Sequence, residues 1–271
     1  MARFVFWNMA RKPQLTLASA IIHQNQVDVF LTAEFGGEGE QLLAQINTNG
    51  RSFDFLPSRR TAGLTLFSST LEFTARLLAD LDRVSVYELS AIGKSQPLLL
   101  FLVHLPSKLY RSPDDQTAIA SVLASDIRRF ELEHGHRRTM VIGDFNMNPF
   151  ENGMIGAREI HGMGAGDVAG GISRTVRGEQ YSFFFNPTWS LLANRQGSAQ
   201  GTYYYPGSGY YEHFWHTFDQ VLVRPEIQKS FRHESLRVIT MAGTARLLDS
   251  RGMPDKMKAS DHLPIRFDFD L

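Results

Sequence analysis

The chain contains no cysteine. Disulfides, thiolate metal sites and a cysteine nucleophile are therefore excluded, while the redox compartment is left open. It also carries no excess of either charge: 28 Lys+Arg against 28 Asp+Glu give a formal net charge of +0. No global basic field draws in nucleic acid and no acidic tail repels it, so any phosphate-binding surface has to be local. No segment approaches the roughly 20 apolar residues that a membrane-spanning helix needs. The opening Met1-Ala2-Arg3-Phe4-Val5-Phe6-Trp7-Asn8 has an apolar run too short for a secretory signal, so a cytoplasmic protein is expected. No internal repeat and no charged linker divides the sequence.

What is present is ordinary for a globular protein. Hydrophobic residues make up 43% and charged residues 21% of 271 positions, enough to build a sizeable core. The length permits one or two domains. The chemically informative residues lie at both ends and must meet in space, which favours a single catalytic domain over residues 1–271.

Periodicity places the elements. Phe4-Val5-Phe6-Trp7 reads as a buried strand with Asn8 at its end. Near-helical spacing predicts a helix over Gln14 to Gln24, followed by a buried strand from Val27 that ends near Glu34. Gly36 to Gly39 reads as a loop, and Leu42, Leu43 and Ile46 as a short helix. Strands are predicted at Phe53 to Phe55, Gly63 to Phe67, Val84 to Tyr87 and Leu98 to Leu105. The clearest helix starts at Ser112, which can cap. Pro113 suits the first helical position, Asp114 and Asp115 complement the positive helix end, and Ser112 with Asp115 forms a capping box. Ile119, Val122, Leu123, Ile127 and Phe130 are predicted to line one face, with Gly135 as the stop. Gly162 to Gly171 reads as a loop, and Tyr181 to Phe218 as an aromatic stretch broken by Gly and Pro. Strand patterns return at Phe218 to Val223, Leu236 to Met241 and Leu263 to Phe269.

Polar residues recur at strand ends. The most informative run is Gly143-Asp144-Phe145-Asn146, which follows the apolar Thr139-Met140-Val141-Ile142. A carboxylate there can bind a metal or orient a water, and the amide two residues on can donate to an anion without adding charge. The same logic applies to Trp7-Asn8, to the run from Asp28 to Glu34 and to Ser260-Asp261-His262. His104 lies in the apolar Val103-His104-Leu105, and Asp219 at the start of an apolar strand.

Taken in order, these elements resemble the endonuclease/exonuclease/phosphatase superfamily, the deoxyribonuclease I-like fold. The resemblance spans almost the whole chain. It implies an α/β (α+β) protein, a four-layered α/β sandwich of two packed mixed β-sheets flanked by helices. It implies a metal-dependent phosphodiesterase, with a nuclease on DNA or RNA as the first expectation. A phosphatase or phosphodiesterase on a phosphoinositide, lipid head group or small phosphate ester is the alternative. Asn8 and Glu34 would ligate Mg²⁺ or Mn²⁺, with Asp261 near the metal. Asp144 would orient or deprotonate the attacking water, and Asn146 would hold the phosphate. His262 would donate to a non-bridging oxygen, and Asp219 would fix its tautomer. His104 matches the His of the deoxyribonuclease-like branch, which protonates the leaving group or clamps the phosphate. One departure is Ala33, where the family often has Gln before the Glu.

Other chemistries find less support. His213 and His216 have no third zinc ligand in view. Gly162-Met163-Gly164-Ala165-Gly166 follows no strand, so a dinucleotide loop is not expected. The strand-turn-helix elbow of a serine hydrolase is missing. The 5-phosphatase signature, with Trp before Gly-Asp and an Arg soon after the Asn, is not matched: Ile142 precedes Gly143, and Asn148-Pro149 follow. Nucleic acid is therefore the favoured partner. Arg59, Lys108 and Arg111 are candidate phosphate contacts despite the zero net charge. Trp215 is a candidate stacking residue, in company with Tyr203, Tyr204, Tyr205, Tyr210 and Tyr211.

Overall fold

The computed structural model describes residues 1–61, 63–94, 96–193 and 199–271. In chain order the principal elements are β1 (Ala2–Asn8), α1 (Leu15–Gln24), β2 (Val29–Ala33), α2 (Gly39–Ile46), β3 (Phe53–Pro57), β4 (Thr65–Ser69), β5 (Phe73–Leu81), β6 (Val84–Ala91), β7 (Leu98–His104), α3 (Pro113–His134) and β8 (Thr139–Asp144). Beyond β8 the chain adds the strands Asp219–Val223, Phe231–Val238 and Ile265–Phe269, with shorter pieces between.

Two mixed sheets result. In the six-stranded sheet, Phe231–Val238 lies next to Ile265–Phe269, which lies next to β1, followed by β2, β4 and β3. The seven-stranded sheet runs β5, β6, β7, β8, Asp219–Val223, Phe184–Phe185 and Gly162–Met163. Among the described residues, only β1 with β2, β7 with β8 and the short pair Gly162–Met163 with Phe184–Phe185 are parallel. A parallel pair needs a crossover, and α1 and α3 supply the first two.

Strand composition follows from burial on both faces. Leu98 to Val103 is a continuous apolar run because alternate residues serve different cores. Leu98, Leu100 and Leu102 face the other sheet and meet Phe4, Phe6, Val29 and Leu31. Leu99, Phe101 and Val103 face outward onto Leu123, Ile127 and Phe130 of α3. On the far side Val5, Trp7 and Phe30 pack under Ala18, Ile21 and Ile22 of α1 and Leu42 and Ile46 of α2. Helix, sheet, sheet and helix make the four expected layers. Each fully buried Leu or Phe contributes about 1.5–3 kcal/mol, so these three clusters supply the main driving force.

Several expectations need correction. Strand β5 carries no strand signal in the sequence. It is an edge strand with a bulge between Leu77 and Ala79, which breaks the period-2 alternation. Val122 does not line the buried face of α3 but is 64% exposed. It sits about 100° round the helix from Leu123, outside the narrow stripe that the sheet covers. Gly162 to Gly171 is not all loop: Gly162–Met163 pairs as a strand and Gly166–Ala169 forms one helical turn. The cap of α3 is as expected, with Ser112 and Asp115 bonded reciprocally and Gly135 left-handed at φ 68°. In the aromatic stretch, residues 194–198 lie outside the described residues. Tyr203–Tyr204 pairs there with Trp215–His216 as a small hairpin.

Candidate active site

The site forms where β1, β2, β7 and β8 end together. Pairing sets the rows. Asn8 is opposite Ala33, one residue before Glu34. His104 is opposite Asp144, and Asp144 is opposite Asp219. Three adjacent strands of one sheet thus deliver His104, Asp144 and Asp219 in a single transverse row. The other sheet delivers Asn8 and Glu34 facing them. Two glycines make this possible. Gly143 has φ +150°, and a Cβ there would lie 1.9 Å from the Val103 carbonyl oxygen, so β7 and β8 could not keep their register with any larger residue. Gly63 has φ +81°, and a Cβ there would lie 2.6 Å from Glu34 Cα, so this glycine backs the strand end that presents the carboxylate.

Hydrogen bonds then fix the side chains. Asn8 Nδ2 donates to Asp144 Oδ2 at 2.9 Å, and the Asn146 backbone N–H donates to Asp144 Oδ1 at 2.8 Å. Both oxygens of the buried Asp144 are therefore oriented. Asn146 Nδ2 donates to the Leu105 carbonyl at 2.9 Å. That uses one of its two donors. His262 Nδ1 donates to Asp219 Oδ2 at 2.8 Å, and its Nε2 lies 3.8 Å from Asp144 Oδ2. Ser260 Oγ donates to the Asn8 carbonyl at 2.7 Å and accepts from the His262 N–H at 3.1 Å, tying the C-terminal motif to β1. Trp7 Nε1 does the same from the other side, donating to the His262 carbonyl at 3.0 Å.

The electrostatics follow from burial. Desolvation alone pulls the His262 imidazolium down, but the carboxylates of Asp219, Asp144 and Asp261 more than offset it and raise its pKa to about 10. The surrounding carboxylates thus favour the imidazolium form of His262. Burial pushes the Asp219 carboxyl up, and the neighbouring imidazolium opposes it. Glu34, with its side chain 23% exposed, lies 3.3 Å from both Arg11 Nε and His104 Nε2. His104 Nε2 is also 4.0 Å from Asp144 Oδ2.

These residues open into one cleft of about 910 Å³. Asn8, Glu34, His104, Lys108, Asp144, Asn146, Asp261 and His262 line it, together with Tyr203, Tyr205, Glu212, His216 and Phe218. A buried imidazole beside two anchored carboxylates, with a partly buried Glu opposite, is equipped to bind a phosphate and activate a water.

The profile of the Endonuclease/Exonuclease/phosphatase family matches residues 5–262. The chain belongs to the endonuclease/exonuclease/phosphatase family. It is accordingly a hydrolase of phosphate esters, and enzymes of this family depend on a divalent metal. Among solved structures the chain is similar to humanized D. rerio TDP2, at 15% identity and TM-score 0.58, over 100% of this chain and 99% of that one. It is similar to the human Nocturnin catalytic domain at 16% identity and TM-score 0.58, over 99% and 94% of the two chains. It is similar to an AP endonuclease from Archaeoglobus fulgidus at 16% identity and TM-score 0.58, over 100% of each chain. At these identities the likeness is one of fold. The comparison with curated proteins finds no match.

The donors present fit a divalent ion of this family. Asn8 Oδ1 accepts only from the Ala10 N–H, at 3.1 Å, among the described residues, and an amide oxygen has a second lone pair. Together with the Glu34 carboxylate it offers the hard oxygen ligands that Mg²⁺ or Mn²⁺ prefers. Asp144, Asp219 and His262 also present atoms within 4.8 Å of one another. Asp219 and His262 are bonded to each other, however, so this trio reads as a proton-handling group rather than a metal cage. Asp261 lines the cleft but is not part of that trio.

The expected substrate contacts divide. Lys108 reaches the cleft, where its Nζ lies 5.3 Å from the Phe218 ring centroid and pairs with Glu151. Arg59, Arg111 and Trp215 are not among the lining residues. The loop that carries Arg59 is bound instead to Asp80, and Trp215 packs against Tyr204 at 5.4 Å. Four participants escaped the sequence reading. Asn148 accepts from the Thr217 N–H at 3.0 Å and donates to His216 Nδ1 at 3.0 Å, clamping the aromatic hairpin to the Gly-Asp-Phe-Asn segment. Gln116 Nε2 donates to the Asn146 carbonyl at 2.9 Å. Thr202 Oγ1 accepts from the Asp219 N–H at 3.2 Å. Glu212 stands in the cleft wall. Only Asn148 had a sequence signal, its place two residues after Asn146; the others depend on long-range packing.

Proposed function

We propose that this chain is a nuclease, hydrolysing phosphodiester bonds of nucleic acid by attack of an activated water, with one catalytic domain over residues 1–271. The observation that carries this reading is the pairing of the His262 imidazolium with buried Asp219, directly beside the doubly oriented Asp144.

Each residue then has a task that its surroundings support. Asp144 orients the water and takes its proton, because Asn8 and the Asn146 N–H leave its carboxylate no freedom to turn. His262 presents its Nε2 proton to a non-bridging phosphate oxygen and offsets the charge that grows there in the transition state. Asp219 holds that ring in place. Asn146 contributes its second amide proton to the phosphate. Glu34 and Asn8 would hold a divalent ion, which would supply Lewis-acid polarisation of the phosphate. His104, between Glu34 and Asp144, positions the metal-side carboxylate and stands ready at the leaving group. Asp261, in the cleft lining, would add negative charge for a bound cation.

Nucleic acid is favoured over a small phosphate ester because the cleft continues past the hydrolytic residues into an aromatic wall with Lys108. Two of the similar structures are described as an AP endonuclease and as TDP2 complexed with single strand DNA product. The test is a panel of DNA, RNA, phosphoinositides and nucleotides in Mg²⁺ and Mn²⁺, comparing the protein with Asp144→Asn. Cleavage of nucleic acid that falls by about 10²–10⁴-fold in the variant supports the reading. Turnover of the small esters alone would overturn it.

A further inference from the structure

The hairpin that walls one side of the cleft carries chemistry that hydrolysis does not use. It is seated directly on the catalytic group: Tyr203 bridges to His262 in antiparallel register, and the two rings are 4.8 Å apart. Tyr203 also stacks on Phe218 at 5.4 Å and 28°. Further out, Tyr205 lines the cleft while 52% exposed. Glu212 is in the same wall. Its Oε1 accepts from the backbone N–H of His213 at 2.9 Å, from that of Phe214 at 3.0 Å and from His216 Nε2 at 3.0 Å. Its Oε2 accepts no hydrogen bond from the described residues.

A carboxylate held by three donors on one oxygen is fixed in direction. Its other oxygen meets no donor among the described residues and can accept one. It repels phosphate, so it does not suit the backbone of a nucleic acid. The groups that combine a flat apolar face with N–H donors at the rim are nucleobases. A base inside a duplex has both faces covered by its stacked neighbours, so it cannot offer a face to the ring while it also reaches the carboxylate.

We propose that this wall is a subsite for an unpaired nucleobase beside the scissile phosphate, with the Tyr205 ring as its stacking face and Glu212 Oε2 as acceptor for a base N–H. The subsite rests on the nuclease reading above and narrows its substrate to single-stranded nucleic acid. It is continuous with the hydrolytic cleft, so the strand that reaches His262 passes the wall.

The test uses the full chain with three substrates: a short single-stranded oligodeoxynucleotide, the same sequence as a blunt duplex, and bis(4-nitrophenyl) phosphate, which has neither base nor strand. Deoxyribose keeps a 2′-hydroxyl from competing for the carboxylate. The single strand is expected to exceed the duplex in kcat/KM by about tenfold or more. Tyr205→Ala and Glu212→Gln should each lower the single-strand value about tenfold, mainly through KM, and reduce the ratio of single strand to duplex. Gln retains an oxygen for the loop N–H groups and places a donor where the free acceptor was, so Glu212→Gln probes recognition while the hairpin stays folded. Fluorescence anisotropy with the labelled single strand, in the absence of added cation, should show the same order of affinities. Equal losses on all three substrates, or a preference for the duplex in either readout, would overturn the subsite. Failure to turn over any phosphodiester, including bis(4-nitrophenyl) phosphate, would overturn the underlying nuclease reading instead, while anisotropy still decides the subsite.

Discussion

The side-chain amide of Asn8 donates to Asp144 Oδ2 at 2.9 Å, joining residues 136 positions apart and belonging to different sheets. This bond ties the two sheets together at the cleft. Its amide oxygen remains turned to other partners, so one residue serves both halves of the site. Asn8→Asp replaces the donor by a second carboxylate against Asp144, and two like charges at that distance cannot both ionise freely. We expect kcat/KM to fall by about 10²-fold or more, with the fold retained by circular dichroism. Activity within threefold of the parent protein would show that the bond does not orient Asp144.

His262 and Asp219 form one unit, and unit behaviour is non-additive. His262→Ala should lower kcat by about 10²–10⁴-fold. Asp219→Asn should lower it less, because the ring remains but loses its orienting charge. The double variant should be no slower than His262→Ala alone. Independent, multiplying losses in steady-state kinetics would refute the pairing as the functional element.

Metal dependence can be read without turnover. Glu34→Gln keeps the size of the side chain and removes its charge, so Mn²⁺ affinity measured by calorimetry should fall by about tenfold or more. Asp219→Asn, buried behind His262, should leave it nearly unchanged. The opposite pattern would move the cation to the trio of Asp144, Asp219 and His262. Chelation should abolish activity, and Mg²⁺ or Mn²⁺ should restore it.

Stability has a separate anchor far from the chemistry. Arg224 Nε and Nη2 reach Glu131 Oε1 and Oε2 at 2.8 and 3.2 Å, and Nη1 donates to the Phe183 carbonyl at 2.9 Å, all buried. Its guanidinium also lies 3.8 Å from the Phe184 ring centroid. Removing one partner strands the other charge away from water. Glu131→Gln should cost about 3–5 kcal/mol in urea unfolding, with little change in kcat. A cost below about 1 kcal/mol would mean that water reaches Arg224.

Asp80 gives the pH dependence a defined sign. Burial works to raise its carboxyl, but donation from Ser58 and Ser85 hydroxyls and from the Arg59 and Arg60 N–H groups outweighs it and lowers the pKa below the ordinary 3.8. A depressed folded pKa means that the folded state binds the proton less well than the unfolded state. This contribution is present above the ordinary value and is lost as pH falls through the folded one. The urea midpoint should therefore drop on acidification below about pH 4, and the drop should be smaller in Asp80→Asn. An identical acid slope in the two proteins would remove Asp80 from the account.

Much of this was legible from local chemistry. The cap of α3 was readable because Ser112, Pro113 and Asp115 act within one turn. The strands β1, β7 and β8 were readable because burial on both faces imposes continuous apolar runs. Strand β5 was not, because a bulge destroys the alternation that a sequence can show. Arg59 and Trp215 were drawn toward the site by composition and sequence proximity, whereas the structure turns the Arg59 loop onto Asp80 and Trp215 onto Tyr204. Glu212 carried no signal, since its geometry depends on three donors that only the folded hairpin assembles.

By itself the sequence determined the strand ends and what stands on them: Asn8, Glu34, His104, Asp144, Asp219 and His262, each a polar residue terminating or entering an apolar run. The tertiary structure alone decided how these ends face one another, that carboxylates surround His262, and that an aromatic wall carrying Glu212 extends the cleft. The reason is range. A residue's place on a strand follows from neighbours a few positions away. The ionisation of His262 and the direction of Glu212 follow from groups that burial brings together across sheets, where water no longer screens them.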